Sequence, residues 1–349
     1  MTQLARAALK PLYRAANSAH PGLLLQRGWT DFVRTDAQNA GSTGKTEHIE
    51  RICRIPAPGF YERAYDRWLA ATGKSTRFSR LIMNVEGRLL IGLSSGSSLE
   101  TGCTVAHTHG MPMLPGSSIK GVVRAWAESN MPDWQSQFNE LFGTHELSGL
   151  IAFHDAWWVP DSGAAGHKNA PFVADIVTPH HPDYYAGKGP ATDLDSPVPN
   201  SLLGVRGSFL FVLEGDKGWR ELAARMLARA LAQRGIGAKT SAGYGRLVLD
   251  REANSRLDNL ARQAMIAALS PEERYQEEIA GMTEKKVAEA FGTDLNATRE
   301  RLGDDFPLYA RIAQDLHRGL IDSWQGETKK TNKARFRTYR FFNGGPLEH

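Results

Sequence analysis

A glycine-rich stretch, GIGAKTSAGYG over residues 235–245, carries several residue types that bind phosphate. Lys239 offers a positive charge and Thr240 a hydroxyl, while the glycines around them can present backbone N–H groups to phosphate oxygens. Tyr244 adds an aromatic ring on which a base can stack, and Arg246 follows as a further cation. These residue types indicate contact with a nucleotide or with a nucleic-acid backbone.

The spacing within this stretch argues against a nucleotide pocket. A Walker A loop needs G-x-x-x-x-G-K-[ST] between a strand and a helix, but Ala238 stands where its second glycine should be. The dinucleotide fingerprint also runs strand, loop, helix, whereas this stretch follows a helical pattern and precedes a strand pattern. Two other Gly-Lys segments, at 41–46 and 71–76, lack the first glycine of the Walker pattern.

Four glycines instead give the stretch a symmetric pattern in which five residues separate two Gly-x-Gly pairs. These glycines are Gly235, Gly237, Gly243 and Gly245. A helix cap or a plain turn accounts for one or two of them. The pattern therefore predicts a loop whose backbone takes positive φ and comes close to another backbone. We interpret this loop as a functional, binding element and not only a turn.

The histidines raise two catalytic alternatives. His107, His109 or His180 could serve as the general base of a metal-independent endoribonuclease. A metal-dependent hydrolase would instead use nearby acids together with His167, His180, His181 and Asp183. No set of three or four ligands with zinc-like spacing emerges, so we predict no metal and no cofactor. The loop TPHHPDYY is built around His180 and His181, which we expect to contact a partner protein.

Strand and helix patterns alternate along the segment that holds most of these residues. Period-two apolar patterns predict strands at 79–96, 148–160, 205–215 and 246–250. Period-3.6 patterns predict one helix that Ser117 or Ser118 caps and another at 219–234. The second helix keeps four arginines off its apolar stripe: Arg220, Arg225, Arg229 and Arg234. The order strand, helix, strand, strand, helix, strand predicts a ferredoxin-like, or RRM-like, α+β domain, with one open sheet face.

The chain divides by pattern into four expected segments. An N-terminal arm with a helical segment occupies 1–79, and the ferredoxin-like domain with loop insertions occupies 80–250. A mainly helical C-terminal extension follows at 251–346, and a purification-tag remnant is expected at 347–349. The extension has ten acids against five bases between Glu272 and Asp305, but six bases against one acid between Glu327 and Arg340. It therefore ends in a basic tail.

Composition sets broad limits on the function. The 349 residues carry a formal charge of +4, a mildly basic balance that suits an anionic partner. The only cysteines, Cys53 and Cys103, form no CxxC motif, which is typical of a protein in a reducing compartment. No run of eighteen apolar residues occurs. We expect a cytoplasmic protein without a membrane span.

Four motifs in order resemble the RAMP superfamily, the repeat-associated proteins of CRISPR RNA-guided complexes. The first two are PGSSIKGVVRAW at 115–126 and GLIAFHDAWW at 149–158, and the last is the loop at 235–245. The third motif, DIVTPHHPDYY at 175–185 together with DSPVPNSLLGV at 195–205, narrows the resemblance to the sixth-subunit family of the type III-B, or Cmr, complexes.

The resemblance spans roughly residues 20–250 and implies a non-catalytic, RNA-binding subunit in antiviral defence. Such subunits hold the 3′ part of the guide crRNA at the end of the backbone filament. The implied partners are the guide crRNA, the target RNA, other RAMP subunits and a small helical subunit. Lys120 and Arg124 lie near a helix N-terminus, whose dipole also favours phosphate. The expected RNA-binding residues are Lys120, Arg124, Gly235, Gly237, Lys239, Thr240, Gly243, Tyr244, Gly245 and Arg246.

Overall fold

A computed structural model describes most of the chain, namely residues 2–3, 6–15, 19–32, 40–73, 76–94, 101–178, 184, 186–192 and 199–344. The expected tag remnant at 347–349 lies outside these residues. The chain divides into two compact units, the core unit at 1–257 and the C-terminal unit at 258–349. Within the described part of the chain, no helix is both long enough and apolar enough to cross a membrane.

The core unit contains short strands at its start and a central antiparallel sheet. In chain order the described strands are β1 (Thr2–Gln3), β2 (Asp31–Phe32), β3 (Phe78–Glu86), β4 (Met113–Leu114), β5 (Ile151–Phe153), β6 (Ala156–Trp158), β7 (Phe172–Val177), β8 (Asn200–Val205), β9 (Ser208–Gly215) and β10 (Arg246–Leu249). The central sheet has the order β10-β3-β9-β6-β4, and β5 also pairs with β9.

This strand order confirms the predicted ferredoxin-like domain. Because β5 and β6 are two halves of the second predicted strand, the sheet order is fourth, first, third and second strand, followed by the short β4. The first predicted strand ends at Glu86, where Gly87 turns the chain with φ 79°. The third predicted strand, 205–215, contains all of β9 together with Val205, which ends β8, and Gly207 separates the two strands with φ 103°.

Helices cover the chain between these strands. In the core unit and across its boundary they are α1 (Lys10–Ala15), α2 (Pro21–Arg27), α3 (Ala40–Cys53), α4 (Gly59–Ala71), α5 (Gly116–Asn130), α6 (Gln135–Phe142), α7 (Lys217–Gln233) and α8 (Arg251–Ala268). Helices α5 and α7 pack on one face of the sheet, where Met83 meets Val123 and Leu227 in a single apolar cluster. These three side chains are fully buried, so this face holds the main core.

The opposite sheet face is also covered, which corrects the expectation of an open face. Ile82, Leu210 and Val212 on this face join Tyr65 of α4 and Leu257 of α8 in a second buried cluster. The side chain of Asn254 in α8 accepts a hydrogen bond from Ile82 N–H at 2.9 Å and donates one to Ile82 O at 2.7 Å. The continuous apolar run of β9 is the sequence signal for burial on both faces.

The segment between β6 and β9 forms a separate two-stranded sheet. Strands β7 and β8 pair antiparallel from Phe172↔Val205 to Val177↔Asn200. Helix α3 lies against this pair, since Lys45 Nζ donates to Asn200 Oδ1 at 2.6 Å and the hydroxyls of Thr46 and Ser201 are 2.6 Å apart. The insertion therefore contains ordered secondary structure beside the central sheet.

The C-terminal unit is helical, as the sequence predicts. Its helices after α8 are α9 (Pro271–Ala280), α10 (Glu284–Ala288), α11 (Leu295–Leu302), α12 (Phe306–Asp322) and α13 (Lys333–Phe342). They surround an apolar cluster of their own, in which Phe291 and Tyr309 are fully buried. A π-helical turn, Glu289–Thr293, places Gly292 against the backbone of Ala334 in α13, where a methyl group at residue 292 would overlap the Ala334 carbonyl oxygen.

Candidate nucleic-acid interface

The glycine-rich stretch forms a loop between α7 and β10, which we call the glycine loop (residues 235–245). All four of its glycines have positive φ, as the spacing predicts: Gly235 (73°), Gly237 (93°), Gly243 (90°) and Gly245 (70°). This backbone region is disfavoured for residues with a side chain. The loop conformation therefore depends on glycine at both ends.

Three of these glycines allow the loop to pack against its own chain. A methyl group at Gly237 would overlap the carbonyl oxygen of Leu90, and one at Gly245 would overlap that of Ile236. Backbone hydrogen bonds fix this approach, because Ala238 N–H donates to Leu90 O at 2.7 Å and Gly245 N–H donates to Arg88 O at 2.9 Å. The glycine spacing predicts that the loop lies close to another backbone. That backbone is the segment of this chain that follows β3.

The tip of the glycine loop is the part that a ligand can reach. Lys239 and Gly243 are exposed, and an added methyl group at Gly243 would have no neighbour within 4 Å. Lys239 itself has φ 57°, a left-handed conformation that costs a non-glycine residue roughly 1–2 kcal/mol. The N–H groups of Ala242, Gly243 and Tyr244 bond back to the loop. The tip therefore leaves the Lys239 ammonium exposed, with the half-buried Thr240 and the exposed Ser241 beside it.

Two expected RNA-binding residues beside the tip contact the protein. The Asp175 carboxylate of β7 lies near the Tyr244 hydroxyl and raises the pKa of Tyr244. Asp175 in turn pairs with Arg88. The Arg246 guanidinium donates to the carbonyl oxygens of Ala232, at 3.0 Å, and of Gln233. Arg246 thereby holds the glycine loop to the end of α7, and Tyr244 lies beside β7.

Helix α5 carries the other two expected cations. Arg124 Nε donates to Glu128 Oε1 at 2.8 Å, and its Nη1 donates to Gly143 O at 3.1 Å. Arg124 is therefore engaged with the protein. Lys120 is half-buried, and the following Gly121 is exposed, with open space where a side chain would be. This surface lets a backbone-like ligand come close to the helix.

The first turn of α5 is capped from the segment between β5 and β6, which corrects the expected serine cap. Neither Ser117 nor Ser118 caps the helix, since both lie within it and are exposed. Asp155 Oδ1 instead accepts a hydrogen bond from Gly116 N–H at 2.7 Å. A methyl group at Gly116 would overlap the carbonyl oxygen of Phe153. The HDA segment between β5 and β6 therefore anchors the N-terminus of α5.

Replacing Asp155 by alanine is expected to lower the free energy of unfolding by about 1 kcal/mol, because the helix loses its capping acceptor. The variant Asp155→Asn keeps an amide oxygen as an acceptor at the same place, so it is expected to lose less. Urea denaturation of the two variants and the parent chain measures the difference. Equal stability of Asp155→Ala and the parent chain would contradict this role.

Helix α5 and the glycine loop meet at the end of α7. Trp126 Nε1 donates to Gln233 Oε1 at 2.6 Å, and Arg234 Nη1 donates to Ala125 O at 2.7 Å. The glycine loop begins at the next residue, Gly235. Lys120 lies six residues before Trp126, or about 9 Å along the helix axis. The structure thus brings Ala125 and Trp126 of α5 to the two residues that precede the glycine loop.

The histidines of the core unit mostly make packing contacts. The ring of His109 lies among Phe60, Tyr61 and Trp157, with centroid distances of 5.8, 5.5 and 5.7 Å. Burial is the main cause that lowers the pKa of His109. His107 is exposed, and its carbonyl oxygen accepts a hydrogen bond from His20 Nε2 at 2.8 Å. Of the expected general-base candidates that the structure describes, His109 is therefore packed among aromatic rings, whereas the His107 side chain is exposed.

Some residues of the metal and partner predictions lie outside the described part of the chain. His180, His181 and Asp183 lie outside the described residues, whereas His167 is described and exposed. Among the residues that the structure does describe, no group of three or more His, Cys, Asp or Glu side chains could hold a metal ion. The expected contact of His180 and His181 with a partner stays a prediction.

Comparison with known proteins shows what this chain is similar to. A model of the RAMP superfamily matches residues 83–248, which begin within β3 and end within β10. The chain is 27% identical to the CRISPR system Cmr subunit Cmr6 of Pyrococcus furiosus, covering 58% of this chain and 78% of that protein. It is 28% identical to Cmr6 of Saccharolobus solfataricus, covering 47% and 55%. These matches confirm the resemblance that the four motifs carry.

Among solved structures, the chain is similar to one in a cryo-EM structure of the type III-B Cmr-beta complex bound to cognate target RNA. The two are 26% identical, with a TM-score of 0.48, and the similarity covers 59% of this chain and 70% of that one.

Proposed function

We propose that this chain, a RAMP-superfamily protein that resembles Cmr6, is a non-catalytic RNA-binding subunit of a type III-B CRISPR (Cmr) ribonucleoprotein complex. The observation that carries this proposal is the similarity to two Cmr6 subunits, together with a family match that spans the domain holding the glycine loop and α5. The subunit would work in the cytoplasm, beside other RAMP subunits and a small helical subunit, in antiviral defence.

The RNA that we propose for this subunit is the 3′ part of the guide crRNA, with the target RNA paired to it. Lys120 and the tip residues Lys239 and Thr240 would contact phosphates, while Gly121 and Gly243 leave room for the RNA backbone. Such contacts read a backbone and not a base sequence, which suits a guide whose sequence varies. Because the sheet face is covered, we propose that the RNA runs past Lys120 and the loop tip and not across the sheet.

The remaining expected RNA-binding residues would act indirectly. Gly235, Gly237 and Gly245 let the loop pack on its own chain, Arg246 holds it to the end of α7, and Tyr244 lies beside β7. Arg124 supports α5 through Glu128 and Gly143. We propose that these six residues position the contacting groups.

Co-expression with the other subunits of its complex and a guide RNA tests the proposed function. We expect the chain to co-purify with the complex and to crosslink to the 3′ part of the guide. Incubation of the purified chain with labelled repeat RNA tests the alternative of an endoribonuclease. Cleavage that His107→Ala, His109→Ala or His180→Ala abolishes would show an endoribonuclease and contradict the non-catalytic role.

A Lys239→Ala variant is expected to bind single-stranded RNAs of unrelated sequence more weakly by about the same factor, because the lost contact is to phosphate. The slope of log affinity against log salt should fall in magnitude by roughly 0.7–1. Lys217→Ala is the matched control, since Lys217 is exposed at the other end of α7, about 27 Å of helix from the glycine loop. Equal affinities and slopes for both variants would contradict the proposed contact.

A further inference from the structure

The C-terminal unit separates its charges along the chain. Its acids concentrate between Glu272 and Asp305, whereas six bases and one acid lie between Glu327 and Arg340. This basic segment includes the whole of α13 except its last two residues, Phe341 and Phe342. The charge asymmetry therefore coincides with one helix and the turn before it.

One side of α13 packs on the core of the C-terminal unit. The buried Thr338 Oγ1 donates to Ala288 O at 3.0 Å, and the Ala334 backbone lies against Gly292. Tyr339, Phe341 and Phe342 pack against the same apolar cluster. The helical period places residues 333, 336, 337 and 340 on the side away from Thr338 and Ala334.

The outward side of α13 carries cations around an aromatic ring. We call this surface the α13 face, which consists of Lys330, Lys333, Phe336, Arg337 and Arg340. The last four follow the helical spacing i, i+3, i+4, i+7, and Lys330 precedes the helix by three residues. The Arg340 guanidinium lies 4.9 Å from the Phe336 ring centroid. Lys330 and Lys333 are exposed, and the other three side chains are half-buried.

Arg335 of the same helix is a cation that stabilises the fold through contacts within the protein. Its guanidinium pairs with Glu284 at 2.6 Å and with Glu327 at 3.2 Å, and it lies over the Trp324 ring. No carboxylate among the described residues pairs with Lys330, Lys333 or Arg337. These three charges are thus available to an external anion.

We propose that the α13 face is a second binding site for single-stranded RNA, separate from the glycine loop and α5. Phosphates would meet Lys330, Lys333 and Arg337, and an unpaired base would stack beside Phe336 and the Arg340 guanidinium. Cations interleaved with an aromatic ring are the combination that binds single strands without sequence preference. A paired duplex would not expose a base face to Phe336. This inference does not rest on membership of a Cmr complex.

The test compares the full-length chain with the variant Lys330→Ala/Lys333→Ala/Arg337→Ala. Fluorescence anisotropy with a labelled mixed-sequence single-stranded RNA gives affinity over a series of salt concentrations. Three lost phosphate contacts should reduce the slope of log affinity against log salt by about 2, with at least a tenfold loss of affinity at low salt. The control Arg274→Ala/Arg318→Ala removes two exposed cations from α9 and α12 and should leave both quantities unchanged.

Two further measurements separate this site from the glycine loop. Photocrosslinking of the RNA to the full chain should label a peptide that contains Phe336, and Lys120→Ala/Lys239→Ala should leave that crosslink in place. Thermal unfolding should be the same for the triple variant and the parent chain, because the altered side chains point away from the core. Unchanged RNA affinity and slope in the triple variant would overturn the proposal and leave the glycine-loop contact intact. Normal RNA binding with loss of the variant from an assembled complex would also overturn it, in favour of a protein partner.

Discussion

Gly245→Ala is expected to lower the free energy of unfolding by at least about 3 kcal/mol, because it combines backbone strain with a steric overlap. Its φ of 70° disfavours alanine, and the new methyl group would overlap the Ile236 carbonyl oxygen and lie 3.3 Å from the Leu89 side chain. The loop would have to leave Arg88, to which Gly245 N–H donates. Urea denaturation measures the loss, and RNA affinity should fall with it.

Gly243→Ala is the matched control within the same loop. Its φ is 90°, so alanine is again strained, but the added methyl group meets nothing within 4 Å. We expect a loss of only about 1–2 kcal/mol. If both variants lost the same stability, close packing on the protein would not be the reason for glycine at residue 245.

Arg220→Ala is expected to be nearly as damaging, with a loss of about 3 kcal/mol in the free energy of unfolding. The Arg220 side chain is only 2% exposed. Its guanidinium donates to Ser79 Oγ at 2.8 Å, to Thr76 O at 3.1 Å and to Gly215 O at 2.8 Å. Removing it leaves a cavity and buried acceptors without their donor. The ends of β3 and β9 would lose the group that joins them to α7.

Arg225→Ala on the same helix is the control for charge and helix propensity. Arg225 is exposed, and substitutions at such sites usually change stability by less than about 0.5 kcal/mol. Calorimetry or urea denaturation of the two variants gives a direct comparison. Equal unfolding of Arg220→Ala and Arg225→Ala would show that the buried guanidinium is dispensable.

Arg220 also marks a limit of reading a helix from its sequence. The apolar stripe of α7 leaves Arg220 on a polar side, and the sequence groups it with Arg225, Arg229 and Arg234. The structure buries it, because the carbonyl oxygens of Thr76 and Gly215 lie beside the first turn of the helix. A helical period gives the direction of a side chain but not what another part of the chain places there.

The order of the elements could be predicted because each central strand and helix has its own apolar period. The breaks within the predicted strands and the extra helix could not be predicted, since they depend on contacts between distant segments. His154 and Asp155 split the second strand, and Asp155 then caps α5. Helix α3 forms over GSTGKT, whose glycines are typical of a loop, because β7 and β8 lie beside it. Tertiary contacts override local propensity at such places.

The glycine loop illustrates the same division within the candidate site. Its spacing predicts positive φ and a close backbone, and both are present. Only the three-dimensional structure shows that this close backbone is Arg88 to Leu90. The sequence also does not reveal that Tyr244 lies near Asp175, because these residues are far apart along the chain. Residue types therefore indicate the chemistry of the loop, and the fold decides which groups remain exposed.

The covered sheet face has a consequence for where this chain can be cut. The RAMP match ends at residue 248, and a fragment designed on that boundary would stop within β10. It would lack Asn254, which bonds to both backbone groups of Ile82, and Leu257, which is buried over Leu210 and Val212. Such a fragment would expose an apolar sheet surface and tend to aggregate. A minimal core unit has to retain the first two turns of α8.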